Sequence, residues 1–429
     1  MQRVVNYPEK YKALSTKEFP QLQDKAIAHF SRLGFPTTKD EEWKYTNIAE
    51  LIAKDFSFVF PERKISREEI LNRFPFLQNA FYVIIENGRL NSEATDLNNL
   101  PNGIEIKNIR EAKNSSLVQK HFNQYADVGA DAFAALNTAF ANEGLFVHVQ
   151  QGISVEKPVY IVHISSSTDQ AAVAHNRLLI AAEKNSSVKI LNVAVSKNNS
   201  SDTFSNSVNE IFVDENARVE FNVLQNENNN SFHICGTHVL QSKNSVFSIN
   251  TISLGGKIIR NKLHIKLDGS NSENHMYGLY LAGNSQLIDN HTAVYHAMPH
   301  CNSNQLYKGI IGGKAHGVFN GKVVVEKDAQ KTNAYQSNKN ILLSNDAVVN
   351  AKPQLEIFAD DVKCSHGATT GQMDDDALFY LRARGIGEES AKALLNIAFA
   401  NDVLNNISVA PFREYVSALV ESKLKETLQ

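Results

Sequence analysis

The sequence predicts a mainly β protein: a stacked β-solenoid flanked by helical regions at both ends. Short β-rich runs follow one another from Leu145 to Leu343, with no comparable helix between them. A turn of common form recurs about every thirty residues: a polar or turn-forming residue, a small residue, then an apolar strand start. The sequence on either side of this region has helical periodicity instead. A large β-sandwich or barrel is the competing architecture, and the recurring turn favours the solenoid.

The first region, residues 1–142, reads as mostly helical. Thr16-Lys17-Glu18 opens a helix, continued from Asp24 to Leu33 by Ala26, Ile27, Phe30 and Leu33 at helical spacing and stopped by Gly34. Phe35-Pro36-Thr37-Thr38 breaks the pattern, and Asp40 to Thr46 follows with the only tryptophan, Trp43. Further helices are expected from Ser66 to Arg73 and from Ala132 to Asn142, with a strand at Phe81–Ile85 between them.

Residues 143–372 form the predicted solenoid. Its runs are Leu145–Val149, Val159–Ile164, Leu178–Ala182, Val188–Val195, Glu210–Val213, Val219–Leu224, Val246–Ile249, Lys262–Lys266, Met276–Leu281, Val323–Glu326 and Ile341–Leu343. The turns between them include Asn185-Ser186, Asn216-Ala217, Asn244-Ser245, Asn284-Ser285, Lys314-Ala315 and Asp346-Ala347. Asn and Asp suit such turns because they tolerate left-handed backbone and bond their own main chain.

Residues 373–429 turn helical again. Asp374-Asp375-Asp376 caps a helix running to Gly385, a second spans Glu388 to Asn401, and a third spans Pro411 to Leu428. A terminal unit of this kind either caps the solenoid or docks a partner.

Composition excludes several classes. Forty-three basic against 46 acidic residues leave a net charge of −3, and no block of Lys and Arg marks a nucleic-acid or anionic-membrane surface. Cys235, Cys301 and Cys364 are odd in number and form no C-x-x-C pair, which predicts a reducing compartment rather than a disulfide framework. Met1 to Tyr7 lacks a signal-peptide apolar core and no run is long enough to span a bilayer, so a cytoplasmic, soluble protein is expected. Gly312-Gly313-Lys314-Ala315 lacks the upstream glycine of a phosphate loop; the chain is expected to bind no nucleotide itself. Neither a G-x-G-x-x-G unit nor a G-x-S-x-G elbow occurs.

Two strings carry candidate ligands. In Pro353-Gln354-Leu355-Glu356-Ile357-Phe358-Ala359-Asp360-Asp361-Val362-Lys363-Cys364-Ser365-His366-Gly367-Ala368-Thr369, the thiol of Cys364 and the imidazole of His366 are two positions apart in a strand-like run. Such residues share one face, roughly 6–7 Å apart, and are soft enough to face iron, a cluster or a partner surface. The second string holds His291, His296, His300 and Cys301; its spacing matches no zinc finger, and turn histidines with a packed cysteine are the expectation. Glu41, Glu42, Asp360 and Asp361 are candidate acid/base carboxylates, with solvated loop positions the commoner role.

Four strings together carry a resemblance. They are Glu41-Glu42-Trp43-Lys44-Tyr45-Thr46; Ser303-Asn304-Gln305-Leu306-Tyr307-Lys308-Gly309-Ile310; Val318-Phe319-Asn320-Gly321-Lys322 through Gln336; and the Pro353 string, continuing through Phe379-Tyr380-Leu381-Arg382-Ala383-Arg384-Gly385-Ile386. In this order they resemble the SufB/SufD family of the Suf iron–sulfur cluster assembly machinery, and Lys363-Cys364-Ser365-His366-Gly367 has the SufD form. The resemblance implies a right-handed parallel β-helix and a complex with SufB and the ATPase SufC, the C-terminal helices docking SufC. It implies that His366 lies at the SufB–SufD interface and assists cluster assembly or iron delivery, with Cys364 beside it in a less defined role. Transient iron or an Fe-S cluster would then be held between two chains, with a homodimer in isolation as a further state.

The expectation is thus a non-catalytic scaffold. Alternatives are a SufB-like primary scaffold, a passive subunit whose Cys364 and His366 only pack, and a β-helix enzyme acting on polysaccharide through Asp360, Asp361 and Lys363.

Overall fold

The computed structural model describes residues 6–58, 64–167, 170–197 and 202–428. The expectation for the extreme N-terminus falls largely on residues 1–5, outside the described residues. No described helix is long and apolar enough to cross a membrane.

The N-terminal region contains helices α1 (Tyr7–Lys12), α2 (Pro20–Leu33), α3 (Ala49–Ala53) and α4 (Arg67–Arg73), strands β1 (Phe81–Glu86), β2 (Arg89–Leu90) and β3 (Ile104–Asn108), then α5 (Ser116–His121) and α6 (Ala132–Ala139). Helix α2 starts at Pro20, not at Thr16, because a proline at the first helical position loses no intrahelical bond. Gly34 ends it with φ 65°. Ser66 and Glu69 close a capping box on α4.

The solenoid follows as β4 (Leu145–Val149), β5 (Val159–Ser165), β6 (Ala172–Ala182), β7 (Ser187–Ser196), β8 (Thr203–Val213), β9 (Arg218–Asn226), β10 (Phe232–Gln241) and β11 (Val246–Ser253). It continues as β12 (Ile258–Leu267), β13 (Glu273–Ala282), β14 (Leu287–His296), β15 (Asn302–Ile311), β16 (His316–Val325), β17 (Asn333–Leu342), β18 (Val348–Ile357) and β19 (Lys363–Gly371). Odd strands form one sheet and even strands the other, each solenoid strand pairing in parallel with the strand two along the chain. A parallel β-solenoid results. The N-terminal region feeds both sheets: β1 pairs in parallel with β5, and β3 antiparallel with β4.

Parallel stacking aligns one position of each coil with the next. Ile190, Phe221, Ile249 and Met276 share one register and fill the interior. Left-handed Asn185, Asn216, Asn244 and Asn271 stack at the even-to-odd corner, each amide donating to the previous side chain at 2.9–3.2 Å. The opposite corner has its own stack, Asn284 (φ 52°) and Gly313 (φ 61°). Two corners, not one, therefore generate the recurring turn, which explains its irregular spacing.

Strands β10, β14, β15 and β18 were missed by apolar patterning because they are rich in His, Asn, Gln and Lys. In β10, β14 and β15 many of these polar groups are buried by neighbouring strands and helices or bonded within the ladder, whereas β18, on the last coil, is half-buried to exposed.

Helices cover the two outer faces. Helix α6 packs on α2 and on the even sheet, where Phe30, Phe133, Phe204 and Phe232 share a core. At the other end lie α7 (Asp375–Arg382), α8 (Glu388–Leu404) and α9 (Ala410–Leu428). Helices α8 and α9 lie against the side of the odd sheet at β13 and β15, with Leu404, Phe412 and Val416 in one core with Leu279, Leu281 and Ile310. Buried Lys308 anchors α8 through Asp402 and the Phe399 carbonyl. These two helices flank the solenoid and leave its last coil, β18–β19, uncapped.

Candidate functional site

The last coil is where the candidate residues fall. Strands β18 and β19 are the edges of their sheets, so one side of each has no strand partner. Pro353 lies inside β18; a residue without an N–H is tolerated in a strand at such an edge. The inner face that earlier coils bury is open here. Residues 365–371 are all exposed, and so are Tyr335 (49%), Val348 (48%), Ile357 and Phe358 (61%).

Cys364 and His366 are both on β19 and face the solenoid interior. Cys364 continues the row Val188, Val219, Phe247, Asn274, Ser303 and Ala334. Half-buried, it packs with Val323, Val325, Ala334 and Leu355. Burial pushes its thiol above the ordinary range, so it is protonated at neutral pH unless a cation lies beside it.

His366 continues the neighbouring row beyond Gln305 and Gln336, where interior apolar residues give way to amides. Gln336 is buried and its Oε1 has no partner. This amide row was not read from the sequence. Its signal is register: residues about one coil apart stack only once the corner positions are known.

The other candidates separate. His291 bonds Glu42 and Asp289, at 3.0 Å each, tying the Glu41–Trp43 turn to the even sheet. His296 is buried and bonds Ser303 Oγ at 2.9 Å; His300 is an exposed corner residue with φ 62°. Cys301 is in the core, bonded to Ser272 and the Gly269 carbonyl. Glu41 pairs with Lys352, and Asp361 pairs with Lys331 while its backbone N–H donates to Gln330. Asp360 and Lys363 are exposed. Among the described residues no three His, Cys, Asp or Glu side chains converge to hold a metal. Cys364 and His366 provide two donors, short of the usual four.

Fold and site define a β-solenoid with helices on its flanks and a thiol and an imidazole on the inner face of an open last coil. The comparisons give the family. Residues 163–399 match the model of the SUF system FeS cluster assembly SufBD core domain, and residues 6–161 match the SufBD protein N-terminal region. The chain belongs to the SufBD family, whose role is iron–sulfur cluster assembly. A SufBD-family cluster assembly protein of Synechocystis is 33% identical, the match covering 88% of this chain and 85% of that one. The Escherichia coli iron–sulfur cluster assembly protein SufD is 29% identical over 96% of this chain and 95% of its own. Bacillus subtilis SufD is 28% identical over 73% and 72%.

Proposed function

We propose that this chain is the SufD-type scaffold subunit of a Suf complex, working with SufB and the ATPase SufC. Iron or a nascent cluster is its cargo, held between this chain and SufB. The observation that carries the reading is the open last coil: an edge strand with no strand partner on one side presents Cys364 and His366 beside exposed apolar residues. An edge of this kind is a template for a second chain, which would supply the missing donors. Neutral imidazole is a good iron ligand, and the Cys364 thiol would lose its proton as a cation arrives.

The flanking helices suit a second contact. Phe379 (73% exposed) and Tyr380 on α7 are apolar groups in water, the surface on which SufC would dock. Nucleotide hydrolysis would reside in that partner, leaving this chain without turnover of its own.

The test is co-purification with SufB and SufC, then anaerobic reconstitution and an iron and sulfide count. His366→Ala is expected to leave the complex assembled and lower cluster yield. Unchanged yield with the complex intact removes His366 from the mechanism. Loss of association when Cys364 and His366 are both replaced, with chemistry preserved, would instead assign them a packing role.

A further inference from the structure

A cavity whose lining includes neither Cys364 nor His366 lies between the N-terminal region and the even sheet. Its volume is about 560 Å³, within the ~300–1,000 Å³ usual for small-molecule sites. The floor is the outer face of β8, β10 and β12; Phe35, Trp43 and Phe133 supply aromatic surface. Gly236 leaves the floor open in its middle. A Cβ there would meet only the His238 ring, its Nε2 at 3.0 Å.

Two buried polar atoms among the lining residues are unpartnered: His238 Nε2 and Asn206 Oδ1. Asn206 spends its Nδ2 on the Phe133 carbonyl at 3.0 Å. Four residues separate their register positions along the strands, so these groups are spread along the cavity rather than at one end. A buried polar atom left unsatisfied is unfavourable, so a ligand group that bonds it gains by doing so. Burial keeps His238 neutral, its pKa pushed down to about 3.

The charges around the cavity are already matched. Lys262 holds Asp131 at 2.9 Å, Arg260 holds Asp289 while lying over the Trp43 ring, and Glu42 holds His291. Glu41 holds Lys352, and Asp40 accepts the Thr37 N–H. Lys39 is at the exposed rim. Inside the Lys39 rim, a carboxylate or phosphate would have to break one of these pairs, whereas an uncharged ring would not.

We propose that this cavity binds an uncharged heteroaromatic small molecule, its ring on the Gly236 floor and its polar atoms on His238 and Asn206.

Trp43 is the only tryptophan and lines the cavity, so its fluorescence reports binding without any assay of assembly. The full-length chain is titrated with nicotinamide, adenine and caffeine, and with the anions nicotinate and AMP, with saturation-transfer NMR as a second readout. At least one uncharged probe is expected to give a saturable change, its anionic counterpart binding at least tenfold more weakly. Gly236→Leu should abolish binding at an unchanged melting temperature; His238→Phe, which keeps the ring shape, should weaken it at least tenfold and decides the matter if Gly236→Leu does not fold. The proposal is overturned if no uncharged probe saturates, if the anions bind as tightly, or if folded variants bind like the wild type.

Discussion

Gln336 donates from Nε2 to Gln305 Oε1 at 2.9 Å, and Gln305 donates to Thr292 Oγ1 at 2.6 Å. The ladder directs its donors inward along the solenoid. What it leaves at the open end is an acceptor, Gln336 Oε1, in the position that pairs in register with His366. An imidazole N–H is a group that such an acceptor can orient.

Gly321 makes room for this ladder. A Cβ there would stand 2.4 Å from Gln336 Nε2 and 2.7 Å from the Phe319 ring. Gly321→Ala is therefore expected to displace the amide and cost about 1–3 kcal/mol in urea unfolding. In a Gln336→Ala background the same change should cost less, because the clashing amide is gone. Equal costs in both backgrounds would show that the ladder does not restrain residue 321.

Arg177 and Glu210 form an ion pair at 2.5 Å with both side chains fully buried. Glu210 also accepts the backbone N–H groups of Asn123, Tyr125 and Ala126, pinning that loop to the even sheet. Arg177→Met strands the carboxylate and should cost about 3–5 kcal/mol. Adding Glu210→Gln should recover part of that loss, since the uncompensated charge disappears. A second substitution that only adds further loss would refute the charge argument.

Much of this architecture was legible. Strand periodicity located eleven coil segments, Ser66 and Gly34 marked helix ends, and the i, i+2 spacing put Cys364 and His366 on one strand face. What was not legible depends on register and on long-range partners. His291 finds Glu42 at the other end of the chain, and the ladder of Gln305 and Gln336 exists only because two coils stack. Polar strands such as β10 resemble loops until the helices that bury them are in place. The C-terminal helices show the same limit: their apolar faces predicted either capping of the solenoid or docking of a partner, but not that α8 and α9 would lie along the solenoid's side.

Buried histidines predict the pH response. Burial pushes His175 down to about 3 and His163, His264 and His296 to about 4, against about 6.5 in an unfolded chain. Below about pH 6.5 the unfolded state takes up protons that the native state excludes, so stability falls with acidification. His233 is opposite: although burial opposes its charge, the Glu227 carboxylate at 2.5 Å raises it to about 10. Its contribution is complete below about pH 6.5 and is lost as pH rises through about 10. The urea midpoint is expected to be lower at about pH 5 than at about pH 7, and lower again above about pH 10. His175→Phe, in a pocket with Tyr7, Phe140 and Phe204, should flatten the acid limb. An unchanged acid slope would remove His175 as a contributor.

The three thiols should differ in reactivity. Cys235 and Cys301 are buried within the solenoid, while Cys364 is half-buried on the edge strand. Alkylation by iodoacetamide, followed by mass spectrometry of the native protein, is expected to modify Cys364 first and the other two only after denaturation. Because burial raises the Cys364 pKa, its labelling rate should be slow at neutral pH and still rising above about pH 9. A rate already at its plateau near pH 7 would mean that the thiolate forms without a cation, contrary to the geometry of β19. If SufB covers this edge, forming the complex should suppress the labelling at least tenfold; undiminished labelling in the purified complex would place the partner elsewhere.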